Sequence, residues 1–395
     1  MHFALTADEL AFRDEVRDYL NTLLAPGGDF AHVRGVGGPG GEHLAVAQRQ
    51  DFERRLGADG WTCVGWPTEF GGRGLPLPLQ VLFLEEYARA GGPGRVGHIG
   101  EGLLGPTVIA FGTAEQQQRF LEPIRLGTEL WCQGYSEPNA GSDLANVSTR
   151  AELHDGAWHI TGQKVWTSLA QWADWCFVVA RTEPGSQRHR GLSYLLVDMR
   201  QPGIEVRPIR QLTGSSEFNE VFFDGALAPA DHVVGAPGDG WKVAMGTLAF
   251  ERGASTLGQQ LGFTREFAEA LTDARRRRTL DDPRVRQRYA AMWARLEIMR
   301  WNALRMLTTA HDPALSGPAF IHKLVWARLH RDLGELALDT LGADAMLTVG
   351  QPDEHDDGLT PAARRFLFTR ADTIYGGSDE IQRNVIGERA LGLPR

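Results

Sequence analysis

The chain has 395 residues, of which 42% are hydrophobic and 23% charged, a composition typical of a globular protein with a large core. Its length exceeds what one core supports, so we expect two or three packed subdomains. The net charge of -9 argues against broad electrostatic binding to nucleic acid or anionic membranes. No apolar run approaches the roughly 20 residues of a membrane span. Residues 1–24 lack the pattern of a secretory signal, so a cytoplasmic protein is expected.

The cysteines form neither a metal-binding nor a disulfide pattern. Cys63, Cys132 and Cys176 are an odd number, with no C-x-x-C spacing and no histidine cluster nearby. We therefore expect buried, reduced thiols and no metal centre.

The N-terminal third is predicted to be helical. Thr6 and Glu9 have capping-box spacing, and apolar residues follow at helical intervals. Stretches rich in Gly and Pro separate further predicted helical segments at 43–57, 79–89 and 114–126. We assign residues 1–130 to a helical domain.

From Trp131 the pattern changes to short runs of β-branched and aromatic residues between turn residues. Such runs are typical of strands in a sandwich or barrel. They span residues 157–160, 175–180, 192–198, 204–209 and 220–224. We assign residues 131–236 to a β domain. A Rossmann domain is not expected, because the chain has no βαβ alternation and no G-x-G-x-x-G motif.

Residues 237–395 are again predicted to be helical. A Gly-, Pro- and Asp-rich stretch at 349–361 interrupts them. The predicted apolar face comprises Ala291, Met292, Leu296 and Met299. The prediction is thus a mainly α-helical protein with a central β domain.

Three sequence strings resemble motifs of the acyl-CoA dehydrogenase family, flavoenzymes that desaturate acyl-CoA thioesters between the α and β carbons. The strings are SEPNAGSD at 136–143, GQKVWTS at 162–168 and IYGGSDEIQRN at 374–384. The resemblance covers nearly the whole chain. It implies a middle β-barrel or sandwich domain between an N-terminal helical domain and a C-terminal four-helix bundle.

The resemblance also implies an FAD cofactor. Ser136 would bond the isoalloxazine ring, Trp166 would present its aromatic face, and Thr167 and Ser168 would donate hydrogen bonds to the polar edge. Further expected cofactor contacts are Gln133, Tyr135, Gly141, Ser142, Ser378 and Glu380. On local sequence alone, the first string also suits an interdomain turn, and a Trp on a strand is usually core packing.

The AMP end of FAD would be bound by motifs that reach a neighbouring subunit. Arg277 and Thr279 match part of an Arg-x-Thr-Phe-Gly string, and a second, incomplete motif falls on Asp339 and Gly342. The alternative for the arginine run 275–278 is a solvated helix face. Flavin sites shared between subunits imply a homodimer or homotetramer, possibly a heterotetramer.

The third string lacks the usual catalytic base of the family. Abstraction of an α proton requires a carboxylate in a dry site, but Gly376 occupies the position of the usual Glu. A minority of members carry this Glu on the first long helix of the C-terminal domain, in a string ending Glu-Arg. Glu251 and Arg252 match that position, although the pair also suits an exposed helix step, and Asp379 and Glu380 remain alternative bases.

The implied reaction is proton abstraction at Cα by Glu251 with hydride transfer from Cβ to the flavin, giving a trans-2-enoyl-CoA. The backbone N–H of Gly376 would hold the thioester carbonyl. Other expected substrate contacts are Ser142, Arg252, Tyr375 and Gly377. Electrons would pass to an electron-transfer flavoprotein. The alternatives are a non-catalytic subunit of a heteromeric dehydrogenase and a flavin-dependent oxidase or monooxygenase.

Overall fold

The computed structural model describes residues 5–38, 40–251, 255–309, 317–349 and 358–394. Helices come first, a β-sheet follows and a second group of helices ends the chain, so the predicted fold class is confirmed. None of the helices within these ranges is long and apolar enough to cross a bilayer.

The N-terminal helices pack in two apolar cores, one shared by the first three helices and one that the last two form with the β domain. They are α1 (Ala7–Leu24), α2 (Val46–Ala58), α3 (Leu77–Ala90), α4 (Gly105–Phe111) and α5 (Ala114–Arg125). The predicted capping box is present, since the Thr6 backbone N–H donates to Glu9 Oε2 at 2.8 Å and the Glu9 N–H to Thr6 Oγ1 at 3.3 Å. The sequence did not predict α4 or the π-helical turn Gly100–Leu104 before it. Three glycines and a proline within 100–106 mask the helical pattern there.

The β domain is one sheet, with seven strands in the described part of the chain. They are β1 (Trp131–Gly134), β2 (Arg150–His154), β3 (Ala157–Ser168), β4 (Trp175–Arg181), β5 (Leu192–Asp198), β6 (Ile204–Ile209) and β7 (Phe218–Pro229). Their order is β1-β4-β2-β3-β7-β6. Strand β5 lies off this path and pairs antiparallel with β4. All five predicted strands are present. The sequence missed the short strands β1 and β2.

The cysteines are buried and unpaired, as predicted. Cys132 and Cys176 are register partners on the parallel strands β1 and β4. Burial raises the pKa of the Cys132 thiol well above its usual value, with Cys176 as a further cause. These residues therefore act as small apolar side chains between strands.

The C-terminal helices are α6 (Gly240–Glu251), α7 (Ser255–Arg276), α8 (Pro283–Thr309), α9 (Gly317–Leu341), α10 (Pro361–Phe368) and α11 (Asp379–Val385). Met292, Leu296 and Met299 are buried between α7, α8 and α9, as predicted. The prediction was wrong for Ala291, which is exposed. One residue turns a helix by about 100°, so Ala291 lies beside the apolar stripe rather than on it.

Candidate functional site

The first string forms a tight loop after β1. Glu137 and Ala140 exchange backbone hydrogen bonds of 3.1 and 3.0 Å across the intervening Pro and Asn. The loop is joined to β3, because the Val165 N–H donates to the Ser136 carbonyl at 2.9 Å. Tyr135 is buried, Gln133 and Ser136 are partly exposed, and Gly141 and Ser142 are exposed. The small residues of the loop are therefore at the surface, and hydrogen bonds to β3 hold the loop in place.

A buried lysine provides that anchor. Lys164 on β3 is 0% exposed, and its ammonium donates three hydrogen bonds. They go to Glu137 Oε1 at 2.8 Å, the Tyr135 carbonyl at 3.0 Å and the Val179 carbonyl at 2.8 Å. An ammonium has three donors, so the buried charge is fully bonded. Lys164 therefore joins the first string, the second string and β4.

Glu137 completes the ion pair from the loop side. It also accepts hydrogen bonds from the Ser148 N–H at 2.6 Å, the Ser148 hydroxyl at 2.7 Å and the Thr149 N–H at 2.9 Å. Burial alone would raise the pKa of Glu137, but the charge and hydrogen bond of Lys164 and the bonds from Ser148 lower it to about 2. Glu137 is therefore ionised at neutral pH and balances the lysine charge.

The second string contains a β-bulge. The pairing register of β3 with β7 shifts between Lys164 and Thr167, and Trp166 within the shift has a φ of 59°. A bulky residue in the left-handed region is uncommon and marks local strain. The bulge leaves Trp166 58% exposed, and its indole contacts Phe218 edge-on with ring centroids 6.3 Å apart.

Thr167 and Ser168 end this strand. Thr167 is 0% exposed, and its Oγ1 atom has no hydrogen-bond partner among the described residues. Buried hydroxyls without a partner are uncommon and call for an explanation. An exposed aromatic face beside an unused hydroxyl fits a flat, polar-edged ring such as isoalloxazine. Partly exposed Ser168 lies next to them.

The buried face of helix α6 packs against β5 and contacts Tyr135, the residue directly before the first string. The Tyr135 hydroxyl donates to the Ala244 carbonyl at 3.5 Å, and the Thr247 hydroxyl lies 2.9 Å from that of Thr107 on α4. Glu251 is the last described residue of α6, one turn after Thr247. The structure does not describe the side chain of Glu251 or any part of Arg252. The roles assigned to these two residues therefore stay predictions.

The C-terminal loop turns at its two glycines. Gly376 and Gly377 have φ values of 63° and 91°, a region that glycine adopts readily. The Gln382 amide donates to the Gly376 carbonyl at 3.3 Å, and Ser378 caps α11 by accepting from the Ile381 N–H at 3.4 Å. Tyr375 is 38% exposed. The backbone here has a shape that any side chain at position 376 would strain.

Neither alternative base in this loop resembles a carboxylate poised in a dry site. Asp379 is buried but ion-paired, with Oδ2 2.9 Å from Arg328 Nε. Glu380 is exposed and lies 3.2 Å from Arg383. A hydrogen bond from its own backbone and one involving Ser378 lower the pKa of Glu380 below its usual value. A base for this chemistry needs a raised pKa, which disfavours Glu380, and the ion pair with Arg328 disfavours Asp379.

The residues expected at the AMP end lie at one end of the helical bundle and are bonded within the chain. Arg277 Nη1 is 2.6 Å from Asp344 Oδ2, and Asp344 lies with Gly342 in the short 3-10 turn that follows α9. Asp339 pairs with Arg288 at 2.8 Å. The Thr279 hydroxyl donates to the Ala274 carbonyl at 3.3 Å. A phosphate would have to compete with Asp344 for Arg277.

Glu137 and Lys164 were not among the predicted site residues, although the sequence carries a signal for them. Trp158, Ile160 and Lys164 share the same parity along β3, and all three are buried. A lysine on the apolar face of a strand requires a buried anion. The alternation along this strand therefore indicates a buried ion pair.

Comparisons with known proteins identify the family of the chain. Family models described as the N-terminal, middle and C-terminal domains of acyl-CoA dehydrogenase match residues 6–128, 132–226 and 238–391. The chain therefore belongs to the acyl-CoA dehydrogenase family and is an oxidoreductase of that family.

Individual relatives are similar over almost their whole length. The acyl-CoA dehydrogenase IpdE1 of Mycobacterium tuberculosis is 58% identical, with 97% of each chain covered. Among solved structures, the Tcur3481-Tcur3483 steroid ACAD has a TM-score of 0.84 at 30% identity, with 100% of both chains covered. The ChsE4-ChsE5 complex from Mycobacterium tuberculosis has a TM-score of 0.80 at 29% identity, also with 100% of both chains covered.

Lys164→Met tests the buried ion pair. The substitution leaves Glu137 buried without its cation, so we expect a loss of about 3–5 kcal/mol in unfolding free energy, measured by urea denaturation. Lys242→Met, at an exposed position on α6, is the matched control. Adding Glu137→Gln to Lys164→Met should recover part of the loss. Equal stability of the Lys164 and Lys242 variants would contradict the assignment.

Gly376→Ala tests the backbone conformation of the loop. We expect a loss of about 1–2 kcal/mol, measured by thermal or urea unfolding, because a Cβ is unfavourable at this φ. Gly376→Asn should cost less, since Asn tolerates the left-handed region. If the Ala variant were as stable as the parent chain, the loop would not have this conformation.

Proposed function

We propose that the chain is a catalytically active, FAD-dependent acyl-CoA dehydrogenase that converts an acyl-CoA thioester to a trans-2-enoyl-CoA. The observation that carries the proposal is the bulge on β3. It exposes Trp166 and leaves the Thr167 hydroxyl without a partner among the described residues, while Lys164 ties the strand to the loop that bears Ser136. A flavin ring would suit this arrangement, because it could stack on the Trp166 indole, bond the Thr167 hydroxyl and lie against the loop that bears Ser136.

The proposed cofactor contacts follow from this arrangement. Ser136, Trp166, Thr167 and Ser168 would hold the ring. The other contacts to FAD within the same subunit would come from Gln133, Tyr135, Gly141, Ser142, Ser378 and Glu380. The AMP end of a neighbouring subunit's cofactor would be bound by Arg277, Thr279, Asp339 and Gly342. When bound, FAD supplies the hydride acceptor for the reaction.

The protein itself would move the proton and hold the carbonyl. We assign proton abstraction at Cα to Glu251, because the loop position of the base is Gly376 and the contacts of Asp379 and Glu380 disfavour them. The Gly376 N–H would donate to the thioester oxygen and stabilise the developing enolate. Ser142, Arg252, Tyr375 and Gly377 would contact the substrate.

For the substrate we propose a bulky, ring-bearing acyl-CoA of the steroid-derived class. The support is the similarity to a steroid ACAD and the two consecutive glycines of the loop, which leave room beside the thioester. We assign the role of electron acceptor to an electron-transfer flavoprotein.

A second candidate is a half-site subunit of a heteromeric dehydrogenase. The internal ion pairs of Arg277 and Asp339, together with the similarity to the two-component ChsE4-ChsE5 complex, favour it. The flavin content of the chain purified alone separates the candidates. One FAD per protomer indicates a complete homomeric site. A content that rises only when a second dehydrogenase chain is added indicates the heteromer.

Glu251→Gln tests the assigned base. The amide cannot accept the α proton, so we expect anaerobic flavin reduction by acyl-CoA to slow about 10²–10⁴-fold with flavin content unchanged. Stopped-flow absorbance of the oxidised flavin measures the rate. Exposed Glu69→Gln is the matched control, and Glu380→Gln tests the competing loop acid.

The Glu251→Gln and Glu380→Gln variants together decide which residue is the base. Retained reduction in the Glu251 variant would remove this residue as the base. Loss of reduction only in the Glu380 variant, with FAD still bound, would return the base to the loop.

A further inference from the structure

One face of α9 supports the C-terminal loop. Lys323, Trp326 and His330 follow each other at intervals of three and four residues, so they project from the same side of the helix. The Lys323 ammonium donates to the Asp372 carbonyl and lies 4.3 Å from the Trp326 ring centroid. The rings of Trp326 and Tyr375 are 6.1 Å apart. The segment before Gly376 thus rests on this helix face.

His330 lies between two carboxylates in the bundle interior. Its side chain is 1% exposed, with Nδ1 2.7 Å from Asp372 Oδ2 and Nε2 2.9 Å from Glu266 Oε2. A neutral imidazole has only one N–H, and an ionised carboxylate can only accept. Both short contacts are therefore satisfied together by an imidazolium. Phe263 stacks on the ring with centroids 4.0 Å apart.

Charged groups from the packed elements surround this imidazolium. Glu266 on α7 also pairs with Arg365 of α10 at 2.9 Å. Burial alone would lower the pKa of His330, but Glu266 and Asp372 raise it to about 9. Burial alone would raise the pKa of Glu266, but His330, Arg365 and Arg265 lower it. The network is therefore charged at neutral pH.

The network continues into the C-terminal loop. Asp372 is fully buried, and its second oxygen accepts a hydrogen bond from the Tyr375 hydroxyl at 2.7 Å. Tyr375 directly precedes Gly376. A continuous series of side-chain contacts, Glu266, His330, Asp372 and Tyr375, links the bundle interior to the glycine turn.

We propose that His330 is a positioning residue, which as a buried imidazolium fixes Asp372 and, through the Tyr375 hydroxyl, holds the Gly376 N–H where the thioester carbonyl binds. The role at the carbonyl rests on the proposed function. The effect on loop geometry does not, because the contacts exist without substrate.

His330→Gln and Tyr375→Phe test the linkage through amide hydrogen exchange of residues 373–379, measured without substrate. We expect each variant to exchange roughly tenfold faster in this segment. The double variant should exchange no faster than the His330 single variant, because both act through Asp372. His154→Gln, at an exposed position on β2, is the matched control. Unchanged loop exchange in both single variants, or an additive double variant, would overturn the proposal.

The pH dependence supplies a readout that needs no variant at position 330. A histidine with a raised pKa stabilises the fold fully below the unfolded value of 6.5, and this contribution is lost as pH rises through about 9. After correction for intrinsic exchange, loop protection in the parent chain and in His154→Gln should therefore fall alike across this window. Tyr375→Phe should flatten the profile, because the loop is then no longer linked to Asp372. A parent profile without any fall would overturn the proposal.

Flavin reduction by acyl-CoA tests whether the position of the loop affects the reaction. In Tyr375→Phe we expect the limiting reduction rate to drop about tenfold with flavin content unchanged, since the carbonyl contact is displaced. If no acyl-CoA reduces the parent flavin while loop exchange responds as predicted, the proposed function fails and the positioning role stands. If reduction proceeds normally but loop exchange does not respond, only the positioning role fails.

Discussion

The site depends first on the requirement that a buried ammonium be neutralised. Lys164 is fully buried, so its charge must be balanced by an anion and its donors must be bonded. Glu137 and two backbone carbonyls satisfy both requirements. Because these partners lie on the loop after β1 and on β4, the ion pair fixes the spatial relation of two strings that are separate in sequence. The flavin platform that we propose is built on this contact.

Regular features of the fold were predictable because they have local causes. The capping box of Thr6 and Glu9, five strands and the order of helical and β regions follow from residue type and spacing. The bulge at Trp166 was not predictable, because it arises from the pairing of β3 with β7 and from no local sequence signal. Ala291 was wrongly assigned to the buried face of its helix. The apolar stripe of a helix is narrow, so a position one residue away can already face solvent.

The candidate site was predictable in its parts but not in its connections. Trp166, Thr167 and the glycine turn were singled out as candidates from their strings, whereas His330 and Asp372 carry no sequence signal that distinguishes them from ordinary polar residues. Their roles depend on α9 packing against the end of the loop. Buried charge thus supports both sides of the site. Lys164 fixes the sheet side, and the His330 imidazolium fixes the helical side.

We propose that this chain performs flavin-dependent oxidation of an acyl-CoA although its loop lacks a carboxylate at position 376. Anaerobic titration of the purified, flavin-loaded protein with a panel of straight-chain, branched and steroid-derived acyl-CoA thioesters tests this activity. We expect at least one bulky thioester to bleach the oxidised-flavin absorbance. A flavin that stays oxidised across the whole panel, with FAD bound at one per protomer, would contradict this claim.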